Sequence, residues 1–146
     1  MPSASVKCVV VTPERAVLDQ AVDFVVLPMY DGELGVLPGR AALIGRLGCG
    51  ELRTTRGGRT ERYFIDGGFA QVRADVVTVL TPRALKAGEL SSSAAERALE
   101  TALTPGKTPE EQERQLQAQA RARAQLRLAR QAEKERENAP LQAPTI

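Results

Sequence analysis

The sequence predicts an all-β domain followed by two antiparallel helices, and three observations carry that prediction. Short β-branched and apolar runs succeed one another from Val6 to Thr81, divided by proline and glycine turn signals. Beyond Leu80 the apolar residues change from alternation to helical spacing. Hydroxyl-led capping signals, at Ser93 and at Thr108, then open each of two helical segments.

The elements follow in order. Val6–Val11 is a β-branched strand that stops at Thr12-Pro13, and Arg15–Asp19 and Phe24–Leu27 come next. The stretch DGELGVLPGR at positions 31–40 sets three glycines and a proline around the carboxylate of Glu33, and reads as a turn and strand. Ala42–Leu47 and Glu51–Arg56 lead to Gly57-Gly58, a hairpin signal because paired glycines adopt the positive φ of tight turns. Arg59–Ile65, Ala70–Arg73 and Val76–Leu80 complete a set that indicates an antiparallel sandwich or barrel. The predicted boundaries are a β domain over 1–86, a helical hairpin over 87–137 and a disordered tail over 138–146.

In the first helix Ala94, Ala95, Ala98, Leu99, Ala102 and Leu103 share one face, behind the capping box Ser93-Ala94-Ala95-Glu96. Thr104-Pro105-Gly106-Lys107 breaks it. Thr108-Pro109-Glu110-Glu111 opens the second helix, which is predicted to run to Glu137 and end at Asn138-Ala139-Pro140. A four-residue break between two helices makes an antiparallel hairpin. The second helix has only Leu116, Leu126 and Leu128 as large apolar residues, so it is held loosely. Its Ala, Gln, Glu and Arg content favours helix regardless of what it packs on. Such a helix can change partners without unfolding.

Composition narrows the function. Apolar residues make up 42% and aromatics 3%, so a core of Val, Leu, Ile and Ala is expected. The net charge of +2 argues for neither nucleic acid nor a membrane surface. No apolar run approaches the ~20 residues of a bilayer span, and no signal-peptide pattern opens the chain, so a cytoplasmic location is expected. With no His, neither a Ser–His–Asp triad nor a Cys–His nucleophile can form. Cys8 and Cys49, the only cysteines, are expected to be reduced and mostly buried.

Positions 31–40 lack both a Walker loop and dinucleotide spacing. Asp31 and Glu33 without His read as a solvated edge or a partner contact rather than an acid–base pair. The second helix carries Arg114, Arg121, Arg123, Arg127, Arg130 and Lys134. Glutamates nearly cancel that charge, and no aromatic is interleaved for base stacking, so nucleic acid is not an expected partner. The residues alone therefore describe a binding or structural protein, not an enzyme. A stand-alone β-sandwich interaction module with a basic helix is one form of it.

A series of signposts adds to this. Val11-Thr12-Pro13-Glu14-Arg15, Phe24-Val25-Val26-Leu27-Pro28, Gly32-Glu33-Leu34-Gly35-Val36-Leu37-Pro38-Gly39, Phe64-Ile65-Asp66-Gly67-Gly68-Phe69 and Val77-Thr78-Val79-Leu80 appear in that order. The series resembles the epsilon subunit family of bacterial F-type ATP synthases, called delta in mitochondria. The resemblance implies a ten-stranded sandwich of two five-stranded sheets, followed by the hairpin. It also implies a non-catalytic central-stalk subunit that couples rotation of the membrane ring of c subunits to the gamma shaft. Glu33, Leu34, Gly35 and Arg40 would face the ring, with Arg40 a permanent cation where the family motif usually has His. The arginines of the second helix would meet the alpha–beta head and restrain ATP hydrolysis. Leu90, Ser91, Ser92, Ser93, Ala94 and Ala95 stand where some members carry the ATP-sensing motif I-D-x-x-R-A. Its Asp and Arg are missing, so no cofactor is implied. The location implied is the cytoplasmic face of a bacterial membrane, peripheral and not membrane-spanning.

Overall fold

The computed structural model describes residues 4–138; the predicted disordered tail lies outside the described residues except for Asn138. Eight strands form one hydrogen-bonded sheet: β1 Val6–Val11, β2 Ala16–Val22, β3 Phe24–Met29, β4 Gly32–Val36, β5 Leu43–Arg56, β6 Arg59–Arg73, β7 Val76–Leu80 and β8 Ala84–Lys86. The order is β2-β1-β7-β6-β5-β3-β4, with β8 added beside β6. All pairs are antiparallel except β1 with β7, which run parallel from Lys7↔Val76 to Val11↔Leu80.

The sequence divides into shorter strands what the structure joins. Ala42–Leu47 and Glu51–Arg56 are one 14-residue strand, and Arg59–Ile65 and Ala70–Arg73 lie in one of 15 residues. These two strands pair along their length around Gly57 and Gly58, both at positive φ (55° and 79°). Both strands change face halfway along. In β5 the buried positions go from Leu47 to Gly50, Leu52 and Thr54; in β6 they go from Tyr63 and Ile65 to Ala70 and Val72. A strand whose inward residues change parity is turning a corner. Each long strand thus serves two layers. Counting each twice gives five strands per layer: β2, β1, β7 and the halves 69–73 and 43–47 against β4, β3, β8 and the halves 49–56 and 59–66. That is the ten-stranded sandwich the resemblance implied. β8 is the strand that sequence periodicity missed, being three residues long.

The layers enclose a core of side chains from every strand, including Val6, Val10, Leu27, Leu52, Ile65 and Val79. Gly68 sits at the corner with φ +105°, and a Cβ there would collide with the Leu80 carbonyl oxygen.

A short 3₁₀ turn, Ala87–Glu89, leads to α1 Ser92–Ala102 and α2 Pro109–Glu137. The cap of α1 is Ser91 rather than Ser93: its Oγ accepts from the Ala94 N–H at 3.2 Å. Of three consecutive serines, only the first keeps the extended backbone a cap requires (φ −106°, ψ 120°). Thr108 caps α2 as predicted, its Oγ1 accepting from the Glu111 N–H at 3.1 Å. The Glu111 carboxylate reaches one residue beyond the usual box partner, to the Lys107 N–H at 2.8 Å. The helices run antiparallel: Gln119 Nε2 donates to the Ala102 carbonyl at 3.0 Å, and Ser92 Oγ donates to Glu133 at 2.8 Å at the other end.

Gly68→Ala is expected to lower stability by about 3 kcal/mol or more, because backbone, not a movable side chain, occupies the space. Gly35→Ala, whose Cβ meets open space, should stay within about 0.5 kcal/mol. Urea denaturation of both variants measures the difference.

Candidate functional site

Strand β4 is one of the two ends of the sheet, opposite β2, and it carries the glycine-rich stretch. Glu33 lies opposite Pro28 of β3 and is exposed. Its carboxylate accepts both terminal nitrogens of Arg53, at 3.2 Å and 3.0 Å, in a fork-to-fork pair. That hydrogen bonding holds its pKa below the ordinary carboxylate value. The partner is Arg53 of β5, two strands away, and not the nearby Arg40. Arg40 stands in the exposed turn after β4, its N–H donating to the Leu37 carbonyl at 3.3 Å. Leu34 packs against the core and is only half-exposed, while Gly35 has open space on its outer side.

Helix α2 lies along the outer face of the layer formed by β5 and β6 beyond their corner. Phe64 points outward there and is fully buried by Ala124, Leu128, Ala132 and Ala87. Leu128 and Leu126 are buried, whereas Leu116, expected to pack, is 64% exposed near the far end of the hairpin. The seat is as narrow as the sequence implied: one large aliphatic residue, with alanines around it.

The five arginines of α2 singled out from the sequence do not form one stripe. Arg121 donates to Asp66 at 3.0 Å, so it faces the sandwich. Arg130 pairs with Glu96 of α1 at 2.9 Å. Arg127 lines the cleft toward β3 and β4, while Arg114 and Arg123 are exposed. Asp66 also accepts from the thiol of Cys49 at 3.0 Å. Cys8 is buried as expected; Cys49 is not, because it falls where β5 changes face and its side chain turns outward. Partial burial of the Cys49 thiol and its bond to Asp66 push its pKa up to about 11, so it stays protonated.

The other layer presents a different surface. Phe69 and Leu80 are directly paired across β6 and β7, and Ile44 is diagonal to Phe69. They are 60%, 55% and 75% exposed and line a nearly wholly apolar depression of about 280 Å³. Alternation around Gly67-Gly68 was the signal for this strip, but it shows only once the corner is known. Arg53, Glu51, Arg62 and Asp66 were also missed; only Glu51 and Arg53, alternating with Leu52 and Thr54, carried a signal in the local pattern.

Among the described residues no group of three His, Cys, Asp or Glu side chains could hold a metal, and no helix is long and apolar enough to cross a membrane. The molecule is an interaction module, a sandwich with a hairpin clasped to one outer face and an uncovered apolar strip on the other layer. The family described as "ATP synthase, Delta/Epsilon chain, beta-sandwich domain" matches residues 5–87, and the chain belongs to that family. As such it is a non-catalytic subunit, which sets aside the stand-alone module.

The chain is 57% identical over 108 residues to an ATP synthase epsilon chain from Rhodopirellula baltica, covering 73% of this chain and 84% of that one. It is 46% identical to the epsilon chain of Carboxydothermus hydrogenoformans over 66% of this chain and 72% of the other. Solved structures share the fold. A chain of the Euglena gracilis mitochondrial ATP synthase, in an assembly of OSCP, F1 and c-ring, superposes with TM-score 0.68 at 24% identity, covering 92% of this chain and 82% of that chain. A chain of the Tetrahymena thermophila central stalk and c-ring gives 0.68 at 12% identity, covering 85% and 96%.

Leu128→Ala is expected to weaken the seating of α2 by about 2–3 kcal/mol, raising amide exchange over residues 122–132 roughly 30-fold. The sandwich amides should be unaffected, and Leu116→Ala should change neither.

Proposed function

We propose that this chain is a rotor subunit in the central stalk of a proton-translocating F-type ATP synthase, peripheral to the cytoplasmic face of a bacterial membrane. The observation that carries the reading is the 57% identity to an ATP synthase epsilon chain across most of both chains. Its surfaces suit three partners. The strip of Ile44, Phe69 and Leu80 gives the gamma subunit an apolar seat, the kind of rigid contact that transmits torque. The β4 end, with Glu33, Leu34, Gly35 and Arg40, is the side offered to the polar loops of the c-subunit ring. The arginines of α2 would reach the alpha–beta head once the hairpin leaves the sandwich, where they would oppose ATP hydrolysis. No ATP site is proposed at Leu90–Ala95, where the Asp and Arg of the sensing motif are absent.

The docked hairpin observed here corresponds to the released, non-inhibiting position in this reading. Arg121 and Arg130 are engaged by Asp66 and Glu96, and the narrow Leu128 seat keeps the cost of departure to a few kcal/mol.

In the assembled synthase, Phe69→Arg should lower the yield of complexes retaining this chain on gamma. Glu33→Lys should keep gamma but reduce proton-driven ATP synthesis while the chain stays folded. Normal assembly and synthesis with both variants would overturn the two surface assignments. Ending the chain at Ala87 should speed ATP hydrolysis by the assembled complex; equal rates with assembly intact would remove the inhibitory role.

A further inference from the structure

Five charged side chains of alternating sign run without a gap from the β4 edge to α2. Glu33 holds Arg53 at 3.0 Å, and Arg53 donates to Glu51 at 2.9 Å. The same Glu51 oxygen accepts from Arg62 at 2.7 Å, and Arg62 reaches Glu135 of α2 at 3.3 Å. The middle is sheltered, with Glu51 and Arg62 side chains 17% and 21% exposed, while Glu33 and Glu135 are 59% and 57% exposed. Strong links therefore lie inside the chain and exchangeable ones at its ends.

The register explains why the chain exists. Arg53 and Arg62 are directly opposite each other on β5 and β6, an unfavourable like-charge pair. Glu51 bridges them but supplies a single negative charge for two guanidiniums. Two more carboxylates reach the pair from outside, Glu33 across β3 and Glu135 on the helix, and with Arg127 of α2 the charges come to three of each sign.

A cleft of about 360 Å³ runs between this part of the sheet and α2. Three cations line it, Arg53 and Arg62 from the sheet and Arg127 from the helix, against two carboxylates, Glu33 and Glu51. We propose that the ion-pair chain couples the β4 edge to the helical hairpin. A partner that draws the Glu33 carboxylate away from Arg53 leaves two carboxylates, Glu51 and Glu135, against three cations, and the resulting repulsion between Arg53 and Arg127 loosens α2. The partner is a hydrogen-bond-donating or cationic surface. That this surface belongs to the ring rests on the reading above; the coupling itself does not. With it, engagement at the rotor end and the position of the hairpin become one equilibrium rather than two.

The test uses the full chain alone, with Glu33→Gln standing for a carboxylate withdrawn from Arg53. Amide exchange over residues 122–132 should rise about two- to fivefold, while the amides of β1 and β7 stay unchanged. Adding Arg127→Gln should return α2 to its original protection, because it removes the surplus cation. Asp19→Asn, which deletes an exposed carboxylate paired with Lys7 on β1, controls for net charge and should leave α2 as it was. Unchanged exchange in Glu33→Gln overturns the coupling, and so does a rise that Arg127→Gln fails to relieve. No ring is present, so neither result bears on whether the chain docks on one.

Discussion

The structure depends on two adjacent long strands changing face at the same rung. Leu47 is paired with Gly68, and on either side of that pair the inward positions of β5 and β6 switch parity together. Because both strands gain the same offset, their register is the same on both sides of the corner, from Leu43↔Val72 to Arg56↔Arg59, with the pairing skipped only at Gly48 and Gly67. A residue with a Cβ would not fit at the tightest point, where Gly68 meets the backbone of Leu80 and Thr81. One sheet thereby closes into two layers over a single core. The same switch decides which side chains face out on each layer. Phe69 and Ile44 emerge on one, and Phe64, Asp66, Arg62 and Arg53 on the other. The apolar strip and the hairpin seat are both consequences of one change of parity.

The two halves of the molecule are held with very different strength. The sandwich buries Val, Leu, Ile and Tyr side chains from seven of its strands, each contributing about 1.5–3 kcal/mol on burial, and Ala84 from β8. Helix α2, though 29 residues long, brings Leu128 and a row of alanines to the sheet, with ion pairs around them. Its helical state owes more to backbone propensity than to what it rests on. Departure of the hairpin would uncover little beyond Phe64 and would not threaten the sandwich. Local stability low enough to move and a helix that stays intact are what a switching element needs.

Much of this was legible in the sequence. Val6–Val11 and Val76–Leu80 appear as strands at the expected residues, and so do the Gly57-Gly58 hairpin and the Thr108 cap, because each depends on local rules of alternation, turn chemistry and capping. The corner was not legible. Cys49-Gly50 and Asp66-Gly67-Gly68 read as interruptions between strands, whereas tertiary pairing carries β5 and β6 through them. From that one miss followed the exposed thiol of Cys49 and the unrecognised outward strip at Phe69. Glu33 was singled out correctly as a charged edge residue, but its partner was not. Arg53 lies across an intervening strand, and only the sheet order β5-β3-β4 brings the two within reach. Arg114 to Arg130 looked like one basic face, yet packing on both the sandwich and α1 divides them.

Opposed arginines on neighbouring strands are a poor choice for a sheet that is to stand alone. A sandwich free of other obligations would gain by replacing one of them with threonine or glutamate, which suit an exposed strand face. Here the pair is retained within a surface whose three cations, Arg127 included, are balanced only when Glu33 of the edge strand and Glu135 of the helix both join Glu51. The hairpin is thus a cover for Phe64 and a counterion for Arg62 at once. Apolar cover alone responds only to contact, whereas a counterion responds to every charge that shares its partners. An edge strand whose carboxylate belongs to the same set is therefore tied electrostatically to the helix, although no residue of β4 packs in the hydrophobic cluster around Phe64.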